Sequence, residues 1–509
     1  MYETIDQLVV DAARRFGDKT ALVTEQRTLT FSEVNHLADA LAAALRELGL
    51  KPGDRISIFS PNCWEWVVSY YAIFKLGAVA NPLNLMLTAE EAIYAMDDCG
   101  SRCVFAGGSQ AARLLAMPER SEERIVVSFG EAAHGAQPFE KLIEQNVREA
   151  PAPALKASDL STVCYTSGTT GHPKGAMQTH RSVMLNTALT STMHVRTEHD
   201  TVVSALPCSH VYGNVVMNSA FFCGLTLVLH ASFDAAAIVR SIETHKATMF
   251  EGVPTMYHYL LESPELDLHD LRSLTRCTVG GQTMPVERME AVQRRLGCPL
   301  IELWGMTELA GLGTTFPFHG PRKLGSIGLP LPMTEARIVD PSDPSRTLAH
   351  GEPGELQIRG PLVMSGYYGN EAATRECLLP DGWLRTGDVA HRDEEGFIYV
   401  VDRFKDMILT GGYNIYPAEI ERVISRMPGV AMVAVGRVPD AVKGELARAY
   451  VVPVSNQSLT EEGVIEFCRQ HLAAYKVPRS VVFVADLPKT SSGKILRRKL
   501  HTLDAAARA

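Results

Sequence analysis

Tyr165-Thr166-Ser167-Gly168-Thr169-Thr170-Gly171-His172-Pro173-Lys174-Gly175 is the stretch on which the reading of this chain turns. Its glycines permit tight turns with backbone amides facing inward, and the hydroxyls of Thr166, Ser167, Thr169 and Thr170 add hydrogen-bond donors. Such a loop wraps a polyphosphate at low steric cost, so a nucleotide is expected. The Walker nucleotide pattern needs Gly-Lys followed by Ser or Thr, but here Pro173 precedes Lys174 and Gly175 follows it. A Walker site is therefore excluded. A plain Ser/Thr-rich turn is a poor account of so long a run in this order.

Working outward, Ser161-Thr162-Val163-Cys164-Tyr165 reads as the buried strand that delivers the loop, and Ala150-Pro151-Ala152-Pro153-Ala154 as a surface connection before it. Upstream, Val34, Leu37, Leu41, Leu45 and Leu48 recur at steps of three or four and end at Gly49, the pattern of an amphipathic helix with a glycine stop. Arg55–Phe59 reads as a strand, and the same alternation continues at 201–206, 225–229 and 247–250. A mixed α/β fold with largely parallel sheets follows. At 509 residues the chain exceeds one compact core, so several subdomains are expected. From Phe397 the pattern changes to the short strands and helices of a small α+β unit. The boundary is placed near Arg403, giving a large N-terminal multi-subdomain α/β domain over 1–402 and a small C-terminal α+β domain over 403–509.

Composition narrows the class. The apolar share of 46% and charged share of 21% are those of a globular protein, and no stretch approaches the ~18 uninterrupted apolar residues of a membrane span. Trp64–Leu76 is apolar, but Glu65, Ser69 and Lys75 interrupt it, so it reads as a buried helix. The start Met1-Tyr2-Glu3-Thr4-Ile5-Asp6 lacks the basic and apolar regions of a secretory signal, so a cytoplasmic location is expected. Ten cysteines are scattered without zinc-site or disulfide spacing and read as reduced thiols. A formal charge of −9 argues against a nucleic-acid partner. The one basic cluster lies at 494–499, where the bland alternative is a basic amphipathic tail.

Further stretches occur in order: Trp304-Gly305-Met306-Thr307-Glu308, Gly382-Trp383-Leu384-Arg385-Thr386-Gly387-Asp388, Asp402-Arg403-Phe404-Lys405-Asp406 and Pro488-Lys489-Thr490-Ser491-Ser492-Gly493-Lys494. With the loop, they make nearly the whole chain resemble the adenylate-forming superfamily, which contains acyl-CoA synthetases, firefly luciferase and peptide-synthetase adenylation domains. Each stretch alone is weak; the ordered set is specific. The resemblance implies an ATP-dependent ligase that activates a carboxylic acid as its acyl-adenylate and passes the acyl group to coenzyme A, with magnesium as the metal.

A carboxylate is a poor acyl donor, because its charge and resonance oppose thiolate attack. Attack of the acid on the α-phosphate of ATP gives a mixed anhydride with AMP as a good leaving group, and cations must offset the meeting of two anions. The resemblance assigns Thr166, Ser167, Gly168, Thr169, Thr170, Gly171 and Lys174 to the phosphates, Thr307 to the α-phosphate and Glu308 to magnesium. Asp388, assisted by Arg403, is expected to take the ribose hydroxyls. Trp304, with Gly305 and Met306, stands where many relatives have tyrosine beside the adenine, and its indole face is expected to stack on the base unless it packs in the core. Gly280, Gly281 and Gln282 resemble the segment between adenine and acyl pocket. Lys494 is expected to bridge the attacking carboxylate and the α-phosphate. Lys405 aligns with a hinge about which the small domain withdraws Lys494 and brings Gly411, Gly412 and Tyr413 to the site for the thioester step.

His210 matches the mouth of the acyl pocket, where it lines, gates or neutralises the acid. Val211, Tyr212, Val215, Met217 and Gly252-Val253-Pro254-Thr255-Met256 suggest an apolar cavity. Phe222-Cys223-Gly224-Leu225 contains no arginine to pair with a second carboxylate, which disfavours malonate. The wording of the motifs favours a medium- to long-chain fatty acid. An aryl or phenylpropenoid acid stays open, since Asn214 and Gln282 offer groups for a substituent hydroxyl. A peptide-synthetase module, an AMP ligase without coenzyme A and a luciferase-like oxygenase are weaker alternatives. So is a non-catalytic nucleotide sensor, because Lys494, Glu308 and Asp388 are all retained. The expected partners are the acid, ATP and coenzyme A; a homodimer is compatible with the sequence.

Overall fold

The structure is a computed structural model that describes residues 3–117, 123–131, 133–144, 153–166, 173–410, 413–440, 442–454, 459–490 and 494–506. Two large sheets carry most of the chain. In the seven-stranded sheet, strand Leu160–Thr166 lies parallel to Val79–Pro82, and only its neighbour Lys174–Thr179 runs antiparallel. The predicted strand at 161–165 is thus one residue longer at each end. In the nine-stranded sheet, Thr20–Val23 and the strands Thr226–Leu229, Thr201–Ser204, Met249–Gly252, Arg276–Gly280 and Leu300–Met306 form a continuous parallel run. These strands are buried and rich in Val, Leu and Ile, as parallel sheets covered on both faces require.

Strand Thr20–Val23 meets a partner far along the chain, with Leu22 opposite Leu227. The strand expected at 247–250 starts later, at Met249, because Ala247 and Thr248 close the preceding turn by backbone bonds to Ile242 and Thr201.

Helix Phe31–Glu47 starts in a capping box, with Thr30 accepting from the Glu33 amide and Glu33 answering the Thr30 amide. It buries Val34, Leu41 and Leu45 as the periodicity predicts. Trp64–Leu76 is indeed a buried helix, covered along its entire length, and packs on helices Ile5–Phe16 and Phe31–Glu47. Its Lys75 is accommodated by Asp39 at 2.7 Å. Among the described residues no helix is long and apolar enough to cross a membrane, and no cluster of His, Cys, Asp or Glu could hold a metal ion. All ten cysteines are reduced.

A third, antiparallel sheet ends in the pair Leu384–Arg392 and Ile398–Arg403, so the change of pattern at Phe397 falls one strand before the break between lobes. The fourth sheet, with strands Ile408–Thr410, Tyr413–Ile415, Val430–Asp440, Gly444–Pro453 and Ser480–Phe483, belongs to a smaller C-terminal unit. That unit has its own core, in which Ile420 and Ile424 of helix Pro417–Ile424 meet Val435, Val451 and Val464. The fold is therefore a large N-terminal α/β body of mostly parallel sheets followed by a smaller C-terminal domain. The carboxyl ends of Met249–Gly252, Arg276–Gly280 and Leu300–Met306 open toward this smaller domain, the end of a parallel sheet at which ligands bind.

Candidate active site

Lys494 reaches the carboxyl end of the nine-stranded sheet from the small lobe. Its backbone is tied to Thr490, whose amide donates to the Lys494 carbonyl at 2.7 Å and whose Oγ1 accepts the Lys494 amide at 2.9 Å. Its side chain runs against Gly281: a Cβ on that residue would lie 2.9 Å from Lys494 Cε. Gly281 also has φ +91°, so two independent constraints demand glycine there. Gly280 is equally confined, since a Cβ would come within 2.2 Å of Leu303 Cδ1, while Gln282 is half-buried beside it. Burial and the charge of Arg403 push the Lys494 ammonium down to about 8, with Asp388 and Glu308 pulling the other way.

His210 begins helix Val211–Cys223 and accepts the Tyr212 amide at its Nδ1, 3.2 Å away, which puts the ring proton on Nε2. Burial, then the charge of Lys494, lowers its pKa to about 3. Burial thus favours the neutral imidazole in this arrangement. A small concavity here is bounded by Pro82, Asn84, Cys164, Tyr165, Ser209, His210, Val211 and Thr307. The carbonyl oxygen of Asn214 already accepts from Tyr70 Oη at 3.1 Å and Asn218 Nδ2 at 2.8 Å, which weakens the expectation that Asn214 serves a substrate hydroxyl. Below, the Tyr212 hydroxyl meets Thr278 Oγ1 at 2.5 Å, and Thr278 donates to Glu251 at 2.7 Å. Glu251 is paired with Arg196 at 2.6 Å in full burial.

The phosphate loop hangs between strands Leu160–Thr166 and Lys174–Thr179. Ser167, Gly168, Thr169, Thr170 and Gly171 lie outside the described residues, as do Gly411 and Gly412. At its flanks Thr166 Oγ1 donates to the Lys174 carbonyl at 3.4 Å, and Tyr165 lies across Gly175 with its hydroxyl on Asp98 at 2.5 Å. Lys174 Nζ stands 5.4 Å over the ring of Tyr367, whose hydroxyl donates to Glu308 Oε1 at 2.7 Å. Tyr367 thus links the loop to Glu308. A single tyrosine in a loop carries no periodicity or spacing, which is why the sequence reading passed over it.

Thr307 and Glu308 form a one-turn 3-10 helix after strand Leu300–Met306, held by Gln178 donating to the Thr307 carbonyl at 2.9 Å and by the Met364 amide on the Glu308 carbonyl at 2.8 Å. Gly305 packs so closely on Gly311 that a Cβ would lie 2.1 Å from its carbonyl oxygen, and Met306 is half-buried. The buried carboxylate of Glu308, oriented by Tyr367, is a hard oxygen donor of the kind magnesium takes. Asp388 is buried at 3% exposure and receives the indole N–H of Trp304 at 2.8 Å and the guanidinium of Arg403 at 3.0 Å. The Trp304 ring packs against Gly313 and beside Leu309. The indole edge, which the sequence reading left without a partner, is therefore committed to Asp388. Lys405 lies exposed in the short turn Phe404–Asp406 that follows Arg403.

The chain matches the family model for AMP-binding enzymes over residues 9–368 and that for the AMP-binding enzyme C-terminal domain over 419–494. It belongs to this adenylate-forming family, and within it is an AMP-forming acyl-CoA ligase that uses ATP, magnesium and coenzyme A. It is 34% identical to a long-chain-fatty-acid–CoA ligase of Bacillus subtilis (strain 168), over 98% of this chain and 94% of that one. It is 37% identical to 3-[(3aS,4S,7aS)-7a-methyl-1,5-dioxo-octahydro-1H-inden-4-yl]propanoyl:CoA ligase of Mycobacterium tuberculosis (strain ATCC 25618 / H37Rv), over 98% of each. The crystal structure of an anthranilate CoA ligase in complex with anthranoyl-AMP superposes with a TM-score of 0.90 at 27% identity, covering 99% of this chain and 97% of that one.

Proposed function

We propose that the acid is a medium- to long-chain fatty acid, activated and transferred by one site in two arrangements of the lobes. The observation that carries the two-step reading is Lys494: a half-buried small-lobe residue lies against Gly281 of the large lobe, within electrostatic reach of Asp388, Glu308 and Arg403. In the first step an oxygen of the acid attacks the α-phosphorus of ATP, and the bond to pyrophosphate breaks with its electron pair leaving on pyrophosphate. The Lys494 ammonium stabilises both anions as they meet, and Thr307 and the loop 166–171 with Lys174 orient the phosphates. Asp388 and Arg403 fix the ribose. Glu308 would hold magnesium, whose charge would offset that of the polyphosphate.

The second step needs a path for the thiol. Rotation about Lys405 withdraws Lys494 and presents the segment 411–413, and the thiolate of coenzyme A then attacks the acyl carbonyl, expelling AMP. The attachment of Lys494 to Thr490 within the small lobe and the short turn at 404–406 support such a movement.

The fatty-acid choice is supported by the apolar Val211 beside His210 in the concavity and by the Bacillus relative. An aryl acid is the second reading, favoured by the close superposition with the anthranilate ligase. Exchange of labelled pyrophosphate into ATP, run with fatty, aryl and short acids and followed by addition of coenzyme A, tests both. Exchange that is strongest with fatty acids, with acyl-CoA formed on addition of the thiol, is expected. Strongest exchange with aryl acids selects the second reading, and silence with every acid removes both.

A further inference from the structure

One carboxylate at the junction of the lobes has partners on both sides. Asp402 belongs to the large lobe, where it faces Val389 in the ladder between strands Leu384–Arg392 and Ile398–Arg403. Its side chain is buried and points into the small lobe. Oδ2 accepts the Ala418 amide at 2.7 Å, in the first turn of helix Pro417–Ile424, where unsatisfied amides and the helix dipole favour an anion. Oδ1 accepts the neighbouring Arg403 amide at 2.7 Å and lies 3.6 Å from Nη1 of Arg497.

Arg497 is bound to its own lobe as well. It makes a two-point contact with Glu421, Nη2 to Oε2 at 2.6 Å and Nε to Oε1 at 3.2 Å, and its Nη1 lies 3.3 Å from Asp406. Arg497 follows Lys494 by three residues, and the intervening chain is pinned. Ile495 pairs with Lys489 as a β-bridge, and the Leu496 amide donates to the Pro488 carbonyl at 2.7 Å. A displacement of Arg497 is therefore passed to Lys494.

Besides Lys494 against Gly281, further contacts join the lobes among the described residues. Arg426 and Glu287 pair at 3.0 Å with about half of each side chain in solvent, where ion pairs contribute little. Lys489 donates to the Tyr259 hydroxyl and Arg288 to the Ala431 carbonyl. The bonds of Asp402 are buried and charge-assisted, so they dominate the junction.

We propose that Asp402 is a positioning residue that seats Lys494 for adenylate formation and releases it for thioester formation. This rests on the alternation of lobes proposed above. When the small lobe turns about Lys405, Asp402 stays in its strand pair while Ala418 and Arg497 leave together. Glu421 and Asp406 travel with Arg497, so the guanidinium keeps a countercharge throughout.

The test separates the half-reactions of Asp402→Ala and Asp402→Asn, with Lys494→Ala as the reference. Asp402→Ala is expected to lower acid-dependent pyrophosphate exchange about tenfold, within the usual range of conformational coupling, while thioester formation from supplied acyl-adenylate and coenzyme A is unchanged. Asp402→Asn keeps an acceptor for Ala418 but loses the attraction for Arg497, and should fall between. If the alanine variant fails to fold, the asparagine variant carries the test. Equal loss in both half-reactions by a variant that melts like the parent, or no loss in either, overturns the proposal. Should Lys494→Ala lose both half-reactions, the alternation itself fails. If it loses exchange alone while the Asp402 variants do not, only the role of Asp402 falls.

Discussion

The indole N–H of Trp304 and the carboxylate of Asp388 are joined by a 2.8 Å hydrogen bond, and Arg403 holds the other oxygen of the same carboxylate at 3.0 Å. Each oxygen has a second lone pair, so Asp388 is oriented while keeping capacity for a diol.

Trp304→Phe keeps the apolar ring and removes the donor. A hydrogen bond to a charged group contributes about 1.5–3 kcal/mol, so KM for ATP is expected to rise about tenfold or more, with kcat changed less. Steady-state titration of ATP checks this. An unchanged KM would show that the orientation of Asp388 rests on Arg403 alone.

Lys494 gives the first half-reaction a basic limb. Burial first, and Arg403 second, bring its ammonium down to about 8, so the charged form prevails below that pH and is lost above it. The value of kcat/KM for pyrophosphate exchange, which reports the free enzyme, is expected to fall about tenfold per unit as pH rises beyond 8. Thioester formation from supplied acyl-adenylate should lack this limb. His210, held near 3, adds no acid limb in the ordinary histidine range. Profiles of the two half-reactions with the same limb would remove the assignment.

Gly281→Ala puts a methyl where Lys494 Cε lies 2.9 Å away, on a backbone at φ +91°. The backbone conformation alone costs on the order of 1 kcal/mol, which leaves the large lobe folded. The displaced ammonium should lower kcat for adenylate formation by about a hundredfold, comparable to losing one preorganised stabilising group. Melting curves run beside exchange assays distinguish this from unfolding.

Tyr367→Phe removes the donor to Glu308 and leaves the ring under Lys174. The magnesium concentration for half-maximal activity is expected to rise about tenfold, since a charge-assisted hydrogen bond is lost. A magnesium titration at fixed ATP reads it directly; no shift would mean that Glu308 is positioned by its backbone turn.

Much of this molecule was legible in the residues. Arg55–Phe59 and Trp64–Leu76 are elements with the bounds read from their patterns, because β-branched alternation and an interrupted apolar run are local signals. Lys494 and Gly281 were singled out separately, but their contact joins residues more than two hundred positions apart and no local pattern encodes it. Trp304 illustrates the same limit: its type suggested stacking, whereas its edge is engaged by a carboxylate from another sheet. Tyr367 and the Arg196–Glu251 pair were missed for a related reason, since each acquires its meaning only through a partner that the fold supplies.

The pairing of Leu22 with Leu227 sets a condition on how the chain is made. An amino-terminal strand emerging from the ribosome has no parallel neighbour until roughly two hundred further residues have been synthesised, and such distant closure slows folding. For that interval the sheet edge at Leu22 and Val23 lacks its parallel neighbour. Removing the first two dozen residues would accordingly strip helix Ile5–Phe16 and strand Thr20–Val23 and leave Thr28–Thr30 without its antiparallel partner, in a sheet whose other members arrive much later, and the shortened product should be recovered chiefly as aggregate.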